Sequence, residues 1–252
     1  MKFFYQSGAM GYGNGYWWHR FFNFPKLPLV TKTLTIVPKK GHRWAILPLL
    51  IPCIGKSVFN KVALDNIGIR KWCEQYLKIN KDVIVSIAGT DDEIQLMVEW
   101  LESILGNIKI DDRAWNEFLI DGIELNFSCP NVKSYKNKII PKTELPLYLK
   151  LNYKQNPFHY DLDRIDGIRL NSIPLRFCSG SGKIAQKKNW GFIERYNKYE
   201  MNIAGCSFTS YDDIKRLEDM GCKEIGIGSI ILTNPALVER IKYYRLRKIS
   251  PG

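Results

Sequence analysis

Apolar and polar positions follow two rhythms along this chain. Short runs at 3–6, 29–36, 83–88, 121–127, 146–151, 165–170, 201–205 and 223–227 are dominated by apolar and β-branched residues and predict eight strands. Several are almost continuously apolar, as strands buried on both faces of a parallel sheet must be. Helix-length segments fit between many of them. Residues 91–105 open on Asp91, Asp92 and Glu93 and repeat apolar residues at helical spacing. Residues 210–220 start at a candidate cap, Ser210, and stop before Gly221. Residues 234–247 start at Asn234, with Pro235 at the first helical position.

Eight strands alternating with helices within 252 residues match a (β/α)8 TIM barrel, read as a single domain over 1–252. A doubly wound sheet with one extra strand is the competing architecture. Two connections break the rhythm. Residues 129–145 hold two prolines and no helical period, and 152–164 are short and polar. The barrel is therefore expected to lack one or two outer helices between strands four and six. The strand exteriors of that arc are expected to lie bare, as a face for a partner or a second copy.

Composition narrows the class. Hydrophobic residues make up 45% of the chain, which excludes a disordered or fibrous protein. Lys and Arg number 37 against 25 Asp and Glu, a net charge of +12. That excess favours phosphates, small acids, nucleic acid or an anionic membrane face as partners. The lysines are scattered over the whole chain, which weakens the case for nucleic acid. Six cysteines (Cys53, Cys73, Cys129, Cys178, Cys206, Cys222) form no C-x-x-C pair, and the start has no apolar leader pattern. The most apolar run, 45–54, is too short to span a bilayer and holds two prolines. A reduced, soluble, cytoplasmic protein is expected. His19, His42 and His159 have no ligand-like spacing, so no metal site is expected.

Barrels place chemistry at the C-terminal ends of their strands. Here those ends carry Lys32, Asn126, Cys129, Asn131, Lys150, Asn171, Ser172, Gly205 and Gly228, mostly hydrogen-bond donors with one thiol. Cys129 follows an apolar strand, and Lys133, Lys136 and Lys138 come close behind it. These residues leave three roles open to it: general base, nucleophile or buried structural thiol. A nucleophile would want a histidine partner, and this segment has none. Gly205-Cys206-Ser207 before the helix at 210, and Gly228-Ser229 after the last strand, fit the usual place for phosphate in such barrels. Backbone N–H groups and a helix dipole would meet the anion there.

One run is more specific than these. Glu124 to Asn131 reads E-L-N-F-S-C-P-N, and the chain resembles the dihydroorotate dehydrogenase family, FMN-dependent barrels of pyrimidine biosynthesis, along almost its whole length. Ser7-Gly8 resembles the family's first turn. Thr31 to His42 resembles its flavin-lysine strand, with His42 where Asn is usual, and Asn60 to Gly68 resembles its substrate loop, with Ala63 in place of Gly. Ser181-Gly182 resembles a flavin-site turn. Ser86 stands where Asn is usual, Cys206 where the family has a second Gly, and Ser229 where it has Thr.

The resemblance implies oxidation of the CH–CH bond of dihydroorotate to give orotate, with Cys129 as general base and hydride passing to FMN. Lys32, Asn60, Val62, Ala63, Leu64, Asn126, Asn131, Asn171 and Ser172 would hold the substrate. Ser7, Gly8, Lys32, Thr33, Ser86, Asn126, Lys150, Leu170, Gly182, Gly205, Cys206, Gly228 and Ser229 would hold the flavin. A cysteine base resembles the soluble class, as does the absence of an N-terminal helical extension. Cys129 to Lys133 leans towards the type served by an iron–sulfur flavoprotein electron-transfer subunit, and a homodimer is the other association expected. Two rivals remain: a tRNA dihydrouridine synthase, also an FMN barrel with a cysteine acid, and a degenerate barrel that binds flavin or pyrimidine without turnover.

Overall fold

The computed structural model describes residues 1–41, 53–60, 64–76, 83–110, 120–128, 139–175 and 179–247, with backbone alone at 53, 54, 59, 60, 106–110 and 245–247. The strands are β1 (Lys2–Tyr5), β2 (Leu29–Val30), β3 (Cys53–Ile54), β4 (Ser57–Asn60), β5 (Val83–Ile87), β6 (Ile120–Asn126), β7 (Leu147–Leu151), β8 (Gly167–Leu170), β9 (Ile173–Pro174), β10 (Ser179–Gly182) and β11 (Glu224–Ile227). The helices are α1 (Ile69–Tyr76), α2 (Asp91–Ile110), α3 (Lys183–Asn197), α4 (Tyr211–Asp219), α5 (Ile230–Thr233) and α6 (Pro235–Arg247).

Seven strands pair in parallel in the order β11-β1-β2-β5-β6-β7-β8. The segment expected as the seventh strand closes the ring between β8 and β11. Ile168 N donates to Asn202 O and Ala204 N to Ile168 O, at 2.8 and 2.9 Å. Gly205 N donates to Glu224 O, and Gly226 N to Gly205 O, both at 2.8 Å. All eight expected strands thus enter one barrel. The first two turns of the ring are looser than the sequence suggests. The run at 29–36 pairs as β2, breaks where Lys32 N is taken by Gly11 O, and resumes at the Leu34–Ile87 bridge.

Alternation along the strands sorts the core into two compartments. Phe3, Tyr5, Val85, Ile87, Ile123, Leu125, Leu149, Ile168, Leu170, Ile225 and Ile227 belong to the large cluster that also takes in helix residues such as Leu101, Ile193, Leu217 and Val238. Phe4, Val30, Ile84 and Ala204, with Tyr148 against them, form a separate small cluster that plugs the barrel interior. Interior glycines make room for large neighbours. A Cβ at Gly122 would crowd Pro146 O and the Tyr148 ring, and one at Gly167 would crowd Tyr148 and Asn202.

The helix ends behave as their residues suggest. Ser210 Oγ accepts from Asp213 N, Gly221 takes a positive φ just past α4, and Asn234 Oδ1 accepts from Leu237 N above Pro235. Two helices of two turns or more, α1 and α3, were not expected: α1 buries Ile69, Trp72 and Cys73 at helical spacing within only eight residues, and α3 buries Gln186 and Asn189 among its apolar residues, which breaks the stripe.

The trimmed arc is present between β7 and β8, where only two short 3-10 turns, Pro157–His159 and Leu162–Arg164, make the connection; between β6 and β7 residues 139–146 hold no helix, and 129–138 lie outside the described residues. The bare strand face expected there is not found. Leu147, Leu149, Leu151, Ile168 and Leu170 are all buried. Ile140, Leu145, Leu162 and Ile165 pack over them, and Arg164 pins the cover by donating to the carbonyls of Ile140 and Pro141 at 2.8 and 2.6 Å. Loop side chains replace helices here, so the described strand exteriors of the arc are covered.

A second sheet, antiparallel and in the order β3-β4-β10-β9, was not foreseen. It leaves the barrel after the C-terminal ends of β2 and β8. It also anchors α3, since Lys183 N donates to Lys56 O and Ile184 N to Ser57 Oγ. Among the described residues no helix is long and apolar enough to cross a membrane, and no cluster of His, Cys, Asp and Glu could hold a metal ion.

The loop after β1 buries His19 among Tyr16, Trp18 and Phe24, with its Nδ1 accepting from Tyr16 N at 3.3 Å. Burial lowers its pKa from 6.5 to about 4. Because the unfolded chain binds this proton more readily, His19 weakens the fold as pH drops from about 6.5 towards 4, and its contribution is complete above 6.5. Urea midpoints measured across that window should fall with acid in the parent, and the slope should flatten in His19→Gln.

Candidate active site

The C-terminal ends of the strands converge on one polar surface. Thr33 Oγ1 is its hub, lying 2.9 Å from Ser86 Oγ and 3.3 Å from Ser7 Oγ, and accepting from Asn126 Nδ2 at 2.9 Å. From Asn126 a chain runs across the barrel mouth. Ser128 Oγ donates to Asn126 Oδ1, and Asn171 Nδ2 donates to Ser128 Oγ, both at 2.6 Å. Five strand ends are thereby tied together: β1, β2, β5, β6 and β8. Of the residues singled out from sequence, this network unites Ser7, Thr33, Ser86, Asn126 and Asn171. Buried donors and acceptors must be paired, and here all the pairings but Ser128–Asn126 cross between strands, which fixes the asparagines' orientation.

Lys32 stands at the rim of the same surface. Its ammonium meets Asp65 at 3.1 Å and lies 5.6 Å above the Tyr12 ring. Burial pushes the Asp65 carboxyl up, but the Gly41 N–H and Lys32 outweigh it and hold the group below its usual range. Leu64 adopts a left-handed backbone, φ 58°. Asn66 holds that turn by donating to Leu64 O and Thr35 Oγ1 while accepting from Gly68 N and Thr35 N. A strained residue locked by a buried amide marks a loop whose shape matters. Asn60 contributes its backbone to β4, while its side chain, and Val62, Ala63, Cys129, Asn131 and His42, lie outside the described residues.

Beneath this layer sits a buried charge cluster. Glu124 accepts from Ser86 Oγ at 2.8 Å, Lys150 Nζ lies 3.5 Å from its Oε1, and Arg169 Nη1 lies 3.6 Å from its Oε2. Arg169 is sandwiched between the rings of Phe4 and Tyr148, 4.3 and 4.0 Å from their centroids. Burial depresses the guanidinium's pKa, and the Glu124 carboxylate opposes that shift.

On the opposite side of the mouth is a cleft lined by Gln6, Leu170, Asn171, Ser172, Ser181, Ser207, Gly226, Gly228 and Ser229, among others. Its lining carries hydroxyls, amides and glycines but no acidic side chain, a donor set that suits a phosphate and fits the flavin mononucleotide expected from the sequence. Gly182 brings the hairpin to this place. Its φ is 72°, and a Cβ there would run into Lys56 O and approach Ser229 Oγ. Asn189 supports the far wall by donating to Asn171 O and Ser207 Oγ, at 3.3 and 3.1 Å.

Three features of the expected phosphate loops can be placed. Gly205 spends its N–H on Glu224 O and closes the barrel. Cys206 turns its thiol into the core, where burial raises its pKa to about 11, so its side chain leaves the cleft clear. The N-terminus of α4 is met by its own residues, since Ser210 Oγ accepts from Asp213 N and Asp213 Oδ2 from Thr209 N and Oγ1. Ser172 N donates to Asn171 Oδ1 at 2.8 Å, and Gly8 O accepts from Tyr16 Oη.

Sequence reasoning missed Gln6 and Arg169. Both stand in runs that otherwise read as buried strand, and a polar group in such a run was the available signal.

No family model matches the chain. Among curated proteins it is similar to the dihydroorotate dehydrogenase B (NAD(+)) catalytic subunit of Endomicrobium trichonymphae, 36% identical over 124 residues. That match covers 47% of this chain and 34% of the relative. The subunit of the same name from Thermoanaerobacter pseudethanolicus is 35% identical over 136 residues, 50% of this chain and 37% of the relative. The one from Thermotoga maritima is 24% identical over 261 residues, covering 86% of this chain and 87% of the relative. The chain thus spans about a third of the length of the first two and most of the third. Its similarity to these catalytic subunits is either partial in length or low in identity.

Thr33→Val removes the acceptor of Asn126 and the partner of Ser86 without changing shape. It should cost about 1–3 kcal/mol of stability in urea unfolding, while Thr33→Ser should retain most of it.

Proposed function

We propose that the chain is an FMN-dependent oxidoreductase that converts dihydroorotate to orotate in pyrimidine biosynthesis, as a soluble cytoplasmic enzyme. The observation that carries this reading is the bonded path from Thr33 through Asn126 and Ser128 to Asn171. It presents the amides of Asn126 and Asn171 on one face, with Asn126 and Ser128 shortly before Cys129 in the chain, where a planar, polar, anionic substrate would need them. FMN, when bound, would supply the two-electron acceptor.

The chain's own residues would do the rest. Asn126, Asn131, Asn171 and Ser172 would orient the pyrimidine, with Asn60 and Val62 to Leu64 closing over it. Lys32 would exchange Asp65 for an anionic group of the bound molecules. Cys129 would take the proton from the ring carbon next to the one that loses hydride. Ser7, Gly8, Thr33, Ser86, Lys150 and Leu170 would line the flavin, and Gly182, Gly228 and Ser229 its phosphate, with Ser172, Ser181, Ser207 and Gln6 from the cleft. Gly205 and Cys206 would serve as backbone behind that cleft. The names of the relatives, catalytic subunits of an NAD(+) enzyme, favour an iron–sulfur flavoprotein electron-transfer subunit as the partner.

Orotate formation with an artificial electron acceptor tests the reading. Cys129→Ala and Cys129→Ser should lower turnover by about 10²–10⁴ while keeping bound flavin, as loss of a general base does. Unchanged turnover in both would remove Cys129 from the role. A parent protein that binds flavin but makes no orotate would point to a barrel that has lost turnover.

A further inference from the structure

The interior charge cluster has no structural necessity. Buried ion pairs are weak stabilisers, and apolar residues of similar volume often serve a core as well or better. Yet Glu124 and Arg169 are 1% and 3% exposed and Lys150 is 8% exposed, all inside the barrel. Arg169 is poorly served there. Its buried Nε has no hydrogen-bond partner, and Nη1 reaches Glu124 only at ion-pair distance. Within ion-pair distance two cations share one carboxylate, while the Glu224 carboxylate acts on Arg169 from further away, in a region with little water to screen these charges. Glu124 lies one inward step below Asn126 on β6, and Arg169 one inward step below Asn171, which follows β8. The cluster's charges therefore sit directly beneath the two amides of the candidate active site.

We propose that Glu124 and Arg169 are positioning residues that hold the Lys150 ammonium at the floor of the site, and that the charge balance of this cluster sets the reduction potential of the bound flavin. The second half rests on the FMN reading above. Glu124 fixes Lys150 through one carboxylate oxygen. Arg169, clamped between Phe4 and Tyr148, occupies the other oxygen and offsets the charge that Glu124 would cancel. Removing either partner alters the charge felt above in opposite directions. Arg169→Met keeps the stacking volume and leaves a neutral Lys–Glu pair. Glu124→Gln leaves two positive charges. The double variant returns to one.

Two measurements on the full chain decide this. The first needs no flavin: labelling of Lys150 by an amine-reactive reagent, read by peptide mass against exposed Lys154. Glu124→Gln should raise Lys150 labelling several-fold, and Arg169→Met should leave it unchanged or lower it. Equal labelling in parent and Glu124→Gln overturns the positioning role. The second is the potential of bound FMN. Arg169→Met should disfavour reduction by about tenfold, which is about 30 mV for a two-electron couple, Glu124→Gln should shift it the other way, and the double variant should lie near the parent. A merely structural role would move both single variants in the same direction or neither, and that result overturns the electrostatic claim. A parent protein that binds no FMN overturns the functional reading itself, while the labelling still decides whether Glu124 holds Lys150.

Discussion

Closure of the barrel is the constraint on which everything else rests. It depends on a few backbone hydrogen bonds made by the segment 202–205, which reaches Ile168 on one side and Glu224 and Gly226 on the other. Without that segment the sheet would have two free edges at β8 and β11, and the interior would open to water. With it, Phe4, Val30, Ile84, Ala204 and Tyr148 form a dry plug. A dry plug gives the charges of Glu124, Lys150 and Arg169 their strength, because field lines between them pass through protein rather than solvent. Closure also sets Asn171 and the Ser207 turn side by side at the mouth, bridged by Asn189.

The site inherits its precision from side chains that cross between strands. Thr33, Ser86, Asn126, Ser128 and Asn171 come from four strand ends, and each hydrogen bond in the series holds the next group in one orientation. The residues that depart from the family pattern read in the sequence fit within this frame. Ser86 still meets both Thr33 and Glu124, and Cys206 turns its sulfur away from the cleft. In the trimmed arc, Arg164 staples loop carbonyls where an outer helix would otherwise cover the strands.

Much of this was legible in the sequence. The eight strands and the caps at Ser210, Asn234 and Gly221 follow from local chemistry: apolar runs, short polar side chains before helices, and a glycine after one. The amides Asn126 and Asn171 follow from their place at strand ends. What the sequence did not reveal depends on distant partners. The β3-β4-β10-β9 sheet joins segments more than a hundred residues apart, and its Ser-Gly-Ser-Gly strand has no apolar alternation to announce it. α3 hides its period because Gln186 and Asn189 face inward. The cover over β7 and β8 could not be foreseen, since loop side chains do the work of a helix without its repeat. Glu124, Lys150 and Arg169 read individually as charges in strands, and only the ring brings them together.

The central claim is that these converging strand ends form a working flavin and dihydroorotate site. Its most direct test is an anaerobic visible spectrum of the purified protein reconstituted with FMN, recorded before and after addition of dihydroorotate. The account predicts a yellow protein whose flavin absorbance bleaches as dihydroorotate is added. A protein that takes up no FMN, or one that stays yellow with excess dihydroorotate, would contradict it.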